Sequence, residues 1–311
     1  MAVNDIISQS RYNELQGKIS ALLGVGSGDK GYNNTVTSNP VAEGNEVLVS
    51  DMNTLFADFE KVYVHINNTT PVTINTVTTS NEIEDALYSA YEILIVELQD
   101  DRFILNGNQA DIESGGVNSV RDGATSPWGG TSQPQAVNHT VQISFSSIVA
   151  RRCFFNAGGE IRFDSSINID NVPSDTNLQK NQDWYDIIFN AGQIKFGRTV
   201  TTNTKPSGTS YAIGNEDLTT SYQTIYRKTG SIAGGYSDNE YYIEAKLESN
   251  NTDITFNIVF NDLDVGTGGA DEYVAGVLTS SVSHIRASGS YVSSPAPSYA
   301  KTSDLWLTYN V

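Results

Sequence analysis

Along the first third of the chain, apolar side chains return at three- and four-residue intervals. Ile6, Ile7, Tyr12, Leu15, Ile19, Leu22 and Leu23 predict an amphipathic helix from Asn4 to Leu23, stopped by Gly24, Gly26 and Gly28. Met52, Leu55, Phe56, Phe59, Val62 and Ile66 predict a second helix with Ser50 as its cap. Thr79 and Glu82 have capping-box spacing ahead of a third, which runs through Ile83, Leu87, Tyr91, Leu94 and Ile95 to about Leu98. Residues 24–49, rich in Gly, Ser and Asn, read as a long connection that is either functional or mobile.

From Asn138 the period changes to two. Val141, Ile143 and Phe145 alternate with polar neighbours as on a half-buried strand. A hairpin is predicted where Tyr241, Ile243, Ala245 and Leu247 alternate before a Ser249-Asn250-Asn251 turn, and Ile254, Phe256, Ile258 and Phe260 alternate after it. Further strands are expected over residues 274–287 and 305–310, and Leu218, Tyr222, Ile225 and Tyr226 suggest another helical turn. One string is nearly said twice. Phe155-Asn156-Ala157-Gly158-Gly159-Glu160-Ile161-Arg162-Phe163 is echoed by Phe189-Asn190-Ala191-Gly192-Gln193-Ile194-Lys195-Phe196. Each copy reads as a short helix ended by a left-handed glycine, Gly158 or Gly192, followed by a strand.

These patterns predict an α+β protein: an N-terminal amphipathic helical region, then a β-rich, sandwich-like domain with short helices. The expected divisions are a helical attachment and oligomerisation region at 1–105, a Gly/Ser/Pro-rich linker at 106–136 and the β-rich domain at 137–311. Three helices joined by glycine loops would bury little core alone, so Ile7, Tyr12, Leu15, Ile19, Leu55 and Phe59 are candidate interface residues.

Composition narrows the classes of partner. Acidic residues outnumber basic ones 36 to 18, a net charge of -18, which disfavours nucleic acid or an anionic membrane and favours protein partners. No apolar run reaches the ~20 residues of a membrane span. The opening residues lack the basic start and apolar stretch of a secretory peptide, so synthesis in the cytoplasm is expected. The single Cys153, in an apolar run, reads as a buried structural thiol.

Little in the sequence carries chemistry. His65, His139 and His284 are scattered, without the local ligand pairs that zinc or hydrolase sites show. Nor is there a Gly-x-Ser-x-Gly elbow or a phosphate loop. Asn261 to Glu272 has the length of a calcium loop, with Asp262, Asp264 and Glu272 as candidate ligands. Leu263 and Val265, however, stand where oxygen donors belong, so the segment reads better as a solvated hairpin loop. No catalytic residue, cofactor or metal is therefore assigned.

Several islands of sequence carry a family resemblance. Asn4-Asp5-Ile6-Ile7-Ser8-Gln9-Ser10-Arg11-Tyr12-Asn13-Glu14-Leu15-Gln16, Phe154 to Phe163, Asp217-Leu218-Thr219-Thr220-Ser221 and Ser294-Pro295-Ala296-Pro297-Ser298-Tyr299 are similar to virion structural proteins of tailed phages, especially T4-like phages of marine cyanobacteria. The resemblance implies a non-enzymatic particle component of the tail, neck or baseplate in contact with other virion proteins, and the amphipathic helical start adds the expectation of a homo-oligomer. The competing reading is a receptor- or glycan-binding fibre module, for which Trp128, Tyr236 and Trp306 would be exposed.

Overall fold

A computed structural model of the chain describes residues 8–26, 30–78, 85–112, 116–130, 133–170, 172, 178–230, 237–263 and 273–305. The chain divides into two compact units. A helical unit comprises Met1–Asp111, Ser147–Gly159 and Arg286–Ala296, and a β unit comprises Ile112–Ser146, Glu160–Ile285 and Pro297–Val311. The stretch expected as a linker, 106–136, holds strands β1 (Ala110–Ile112) and β2 (Val117–Asp122) and the fully buried Trp128. An apolar count misses β2 because its buried side chains are the polar Ser119 and Arg121. Arg121 donates to the carbonyls of Ser126, Pro127 and Leu305, and burial is tolerated because those donors are satisfied.

In the helical unit, α1 (Gln9–Leu23), α2 (Val49–Asn67) and α3 (Asp85–Asp101) pack their stripes together, joined by α4 (Ile148–Asn156). Helix α1 starts at Gln9, later than its periodicity suggests, because Ser8 is extended and its Oγ accepts from the Arg11 N–H at 3.3 Å. Helix α2 starts at Val49. Its cap is not Ser50, since the Asp51 carboxylate takes the Leu48 N–H at 2.8 Å. The expected start of α3, with Thr79, Glu82 and Ile83, lies outside the described residues.

Tyr12, Leu15, Ile19, Leu55 and Phe59 are each at most 1% exposed and belong to this unit's own core, with Phe59 edge-on to Tyr91 at 5.2 Å. They are not an outward interface; Ile7 lies outside the described residues. The three helices bury a core after all because the connection between α1 and α2 closes over it. Asn13 and Val41 exchange two hydrogen bonds of 2.8 and 2.9 Å, and Gln16 donates to the Ser38 carbonyl at 3.0 Å. Buried Asp58 gathers both the backbone and the hydroxyl of Thr37 and Ser38.

The β unit contains β3 (Ala136–Ser144), β4 (Glu160–Asn168), α5 (Leu178–Ala191), β5 (Ile194–Phe196), β6 (Thr201–Asn203), β7 (Thr209–Ser210), β8 (Gln223–Thr229), β9 (Glu240–Leu247), β10 (Asp253–Asn261), β11 (Val277–Ala287) and β12 (Ser298–Ser303). One antiparallel sheet runs in the order β12, β3, β10, β9, β8, β7. In the other, β11 lies between β2 and β4, and β5 and β6 follow β4. The sheets face each other: the Phe256 ring sits 4.9 Å from Phe163 and 5.1 Å from Phe196, and Ser165 Oγ meets the Tyr241 hydroxyl at 3.2 Å. This is a sandwich built on alternating inward side chains.

The predicted hairpin is β9–β10, in register from Ile254 opposite Leu247, with Asn251 left-handed in the turn. Of the helical turn expected around Leu218 to Tyr226, Ile225 and Tyr226 lie in strand β8 instead, and a short 3-10 turn, Asn215–Asp217, ends at Leu218. A register shift between Thr224 and Tyr226 buries the consecutive Ile225 and Tyr226, and such a bulge imitates helical spacing. For the strand expected at 305–310, only Leu305 is described. The two copies of the echo do share their geometry, with Gly158 and Gly192 at φ of 79° and 65°. Their strands also pair with each other, Ile161 opposite Phe196 and Phe163 opposite Ile194.

Candidate functional site

The densest buried polar cluster in the β unit forms at the start of α5. Lys180, Asn181, Asp183, Trp184, Asn239 and Asp262 are all at most 1% exposed. Lys180 Nζ donates to Asp262 Oδ1 at 3.0 Å and to the Gly129 carbonyl at 2.5 Å, while Trp184 Nε1 donates to Asp262 Oδ2 at 2.9 Å. Gly129, at φ 76°, packs so closely that a Cβ there would lie 2.7 Å from Asp262 Oδ2. Asn181 accepts the N–H groups of Ala275 and Gly276, both at 2.9 Å, and donates to the Tyr273 carbonyl at 3.2 Å. The first turns of α5 thus clamp both ends of the acidic segment that resembles a calcium loop.

That geometry corrects the reading of Asp262 as a cation ligand. Its two oxygens are engaged by an ammonium and an indole N–H in a solvent-excluded site, where a second cation would meet the first. Asp264 and Glu272 lie outside the described residues.

Asp183 is the strained member of the cluster. Burial pushes its carboxyl up to about 6, because among the described residues Oδ1 has no partner and Oδ2 receives only a long 3.4 Å bond from Asn239. The unfolded chain ionises this group near pH 4, whereas the folded chain holds the proton until about pH 6. A stability penalty therefore develops across that window and is complete above it. Asp183→Asn should accordingly stabilise the β unit by about 2–3 kcal/mol at neutral pH and have no such effect below about pH 4. Urea midpoints at the two pH values check this; an equal gain at both would show that charge is not the cause.

The histidines do not converge. His65 packs edge-on to Tyr32 in the helical unit, at 5.0 Å between ring centroids. In the β unit His139 Nδ1 lies 3.1 Å from Ser280 Oγ, and His284 stacks on Tyr299. Burial lowers His65 and His139 to about 4, so both are neutral packing residues at physiological pH. Cys153 is a buried thiol.

The second candidate site is a surface. Helix α3 directs Tyr88, Tyr91, Ile95 and Leu98 into the helical core, yet its opposite side carries Ile93, 63% exposed, and Val96, 53% exposed. Ser89, Glu92, Ile93, Val96, Glu97 and Asp100 line a shallow groove of about 440 Å³ there. At the N-terminal end of the helix, Arg11 of α1 holds Glu92 through two bonds of 2.6 and 2.7 Å and Asp85 through one of 2.7 Å. The guanidinium bonds hold the Glu92 carboxyl below the usual range.

Sequence spacing singles out neither site. Lys180 and Asp183 look like the solvated polar face of a short helix, and nothing in their spacing marks burial. The outward side of α3 did carry a signal, since Ile93 and Val96 continue the three- and four-residue spacing on the side away from the core.

The aromatic residues separate as well. Tyr241 is buried and stacked on Phe260, while Tyr242 and Tyr222 lie nearer the surface with Arg227 and Lys246 over their rings at 5.4 and 5.0 Å. Trp128, which the fibre reading requires to be exposed, is fully buried 4.7 Å from Trp184. Tyr236 and Trp306 lie outside the described residues. Among the described residues no helix is long and apolar enough to cross a membrane. The chain matches no protein-family model, and comparison with curated proteins and with solved structures gives no match.

Proposed function

We propose that this chain is a non-enzymatic structural subunit of a tailed-phage particle, in the tail, neck or baseplate, acting through protein–protein contacts. The observation that carries the reading is α3, whose core-facing side is covered by its own unit while Ile93 and Val96 stand exposed on the other. A helix with a second apolar stripe is built to be covered by something else. The clamp at α5 supports the same reading, because its buried ionisable groups hold loops in place. The resemblance of the opening and of the Phe-Asn-Ala-Gly-Gly string to virion structural proteins supplies the particle.

The fibre-module alternative draws on the surface tyrosines, but cations already lie over Tyr222 and Tyr242, where a sugar would have to stack. In gradient-purified particles of a phage encoding it, the chain should be found at a fixed ratio to the major capsid protein, and antibody against it should label the tail, neck or baseplate. A chain confined to the soluble fraction of the lysate would overturn the proposal.

A further inference from the structure

The outward side of α3 indicates what covers it. Ala86, Ser89, Ile93 and Val96 succeed one another at intervals of three, four and three residues, the spacing of a coiled-coil seam. Ala86 is exposed like Ile93 and Val96, and the groove runs along this line. An occupant matching such a seam is itself an α-helix, laying its own apolar stripe into the gap between Ile93 and Val96.

Charge then selects among helices. Glu97 and Asp100 border the seam without an ion-pair partner among the described residues, and Asp101 follows. These carboxylates stand in the last turns of α3, which hold no basic residue. That is the end of a helix where negative charge is unfavourable and a cation is welcome. A second copy of this chain would bring the same carboxylates and a further charge of -18 to the contact. The complementary occupant carries Lys or Arg beside its apolar stripe.

We infer that the outward seam of α3 is the docking site for an amphipathic helix of a partner protein, apolar at three- and four-residue intervals and flanked by Lys or Arg. The inference rests on the structural-subunit reading and names the partner class for that surface.

The test uses the full chain and two synthetic helical peptides with identical Leu seams, one flanked by Lys and one by Glu, with binding followed by fluorescence anisotropy. The Lys peptide should bind, weaken as salt rises, and exceed the Glu peptide by about tenfold or more. Ile93→Asp/Val96→Asp should abolish binding. Glu97→Lys/Asp100→Lys, which leaves the apolar seam intact, should invert the preference between the peptides. Failure of the Lys peptide to bind, or undiminished binding to Ile93→Asp/Val96→Asp, would overturn the inference. So would self-association that this double variant removes, because a second copy would then own the seam. The structural-subunit reading is judged separately, by whether the unmodified chain is present in purified particles.

Discussion

Replacing Asp262 with Ala should cost the β unit about 3–5 kcal/mol, the usual consequence of leaving one member of a buried ion pair alone. Lys180 and Asp262 both have side chains with no exposure, so neither charge can turn to water once its partner is gone. The same substitution removes the acceptor of the Trp184 indole and loosens the Gly129 turn that packs on the carboxylate. Lys180→Met/Asp262→Asn should cost less than Asp262→Ala, since Asn can still accept from the indole and no charge is stranded. Tryptophan emission is a natural reporter, because Trp128 and Trp184 both sit at this cluster. Far-ultraviolet circular dichroism follows the whole chain, which matters because a chain of two units need not unfold in one step. A change below about 0.5 kcal/mol in the urea transition seen by tryptophan would mean that the pair does not hold the loops.

In the helical unit, Asp58→Ala should be nearly as damaging, at about 3–4 kcal/mol. The fully buried Asp58 accepts from the backbone N–H and hydroxyl of both Thr37 and Ser38 and from Lys61 Nζ, with distances from 2.7 to 3.1 Å. Removing the carboxylate leaves two backbone donors without their acceptor and strips the charge partner from Lys61 Nζ, which keeps the Thr35 carbonyl at 3.1 Å. Burial by itself raises the Asp58 carboxyl, but the donors from Lys61, Ser38 and Thr37 outweigh it and hold the group below its ordinary value. Its stabilisation is therefore complete above the unfolded value, near pH 4, and is lost as pH falls below it. Hydrogen exchange at Thr37 and Ser38 reads the effect locally: their amides should lose protection in Asp58→Ala, and in the unmodified protein below about pH 4. Retained protection in the variant would show that the connection is anchored by other contacts.

These two carboxylates show where a reading of the chain alone stops. Asp58 lies on the apolar side of α2 and Asp262 follows the last residue of β10, and both look like ordinary surface acids. Apart from Lys61, one turn along from Asp58, the partners cited for them are twenty to more than eighty residues away in sequence. Residues 24–49 read only as a long connection, functional or mobile, for the same reason. Their anchors include an aspartate, an asparagine, two glutamines and a lysine on the neighbouring helices, residue types that carry no periodic signal.

The local elements were legible because each rests on nearby residues. Apolar spacing of three and four marked α1, α2 and α3, alternation marked β3, β9 and β10, and the glycines of the echo marked the left-handed ends of α4 and α5. The α+β class follows from those same periods. Tertiary structure decided the assignment of faces. Spacing alone states that a stripe on α1 or α2 is apolar, but not whether it meets its own unit or another protein. Tyr12 and Phe59 proved to be core, while Ile93 and Val96 on α3 were left outside. It also drew the unit boundaries, moving Ser147–Gly159 and Arg286–Ala296 into the helical unit, because packing joins segments by complementary surface and not by order along the chain.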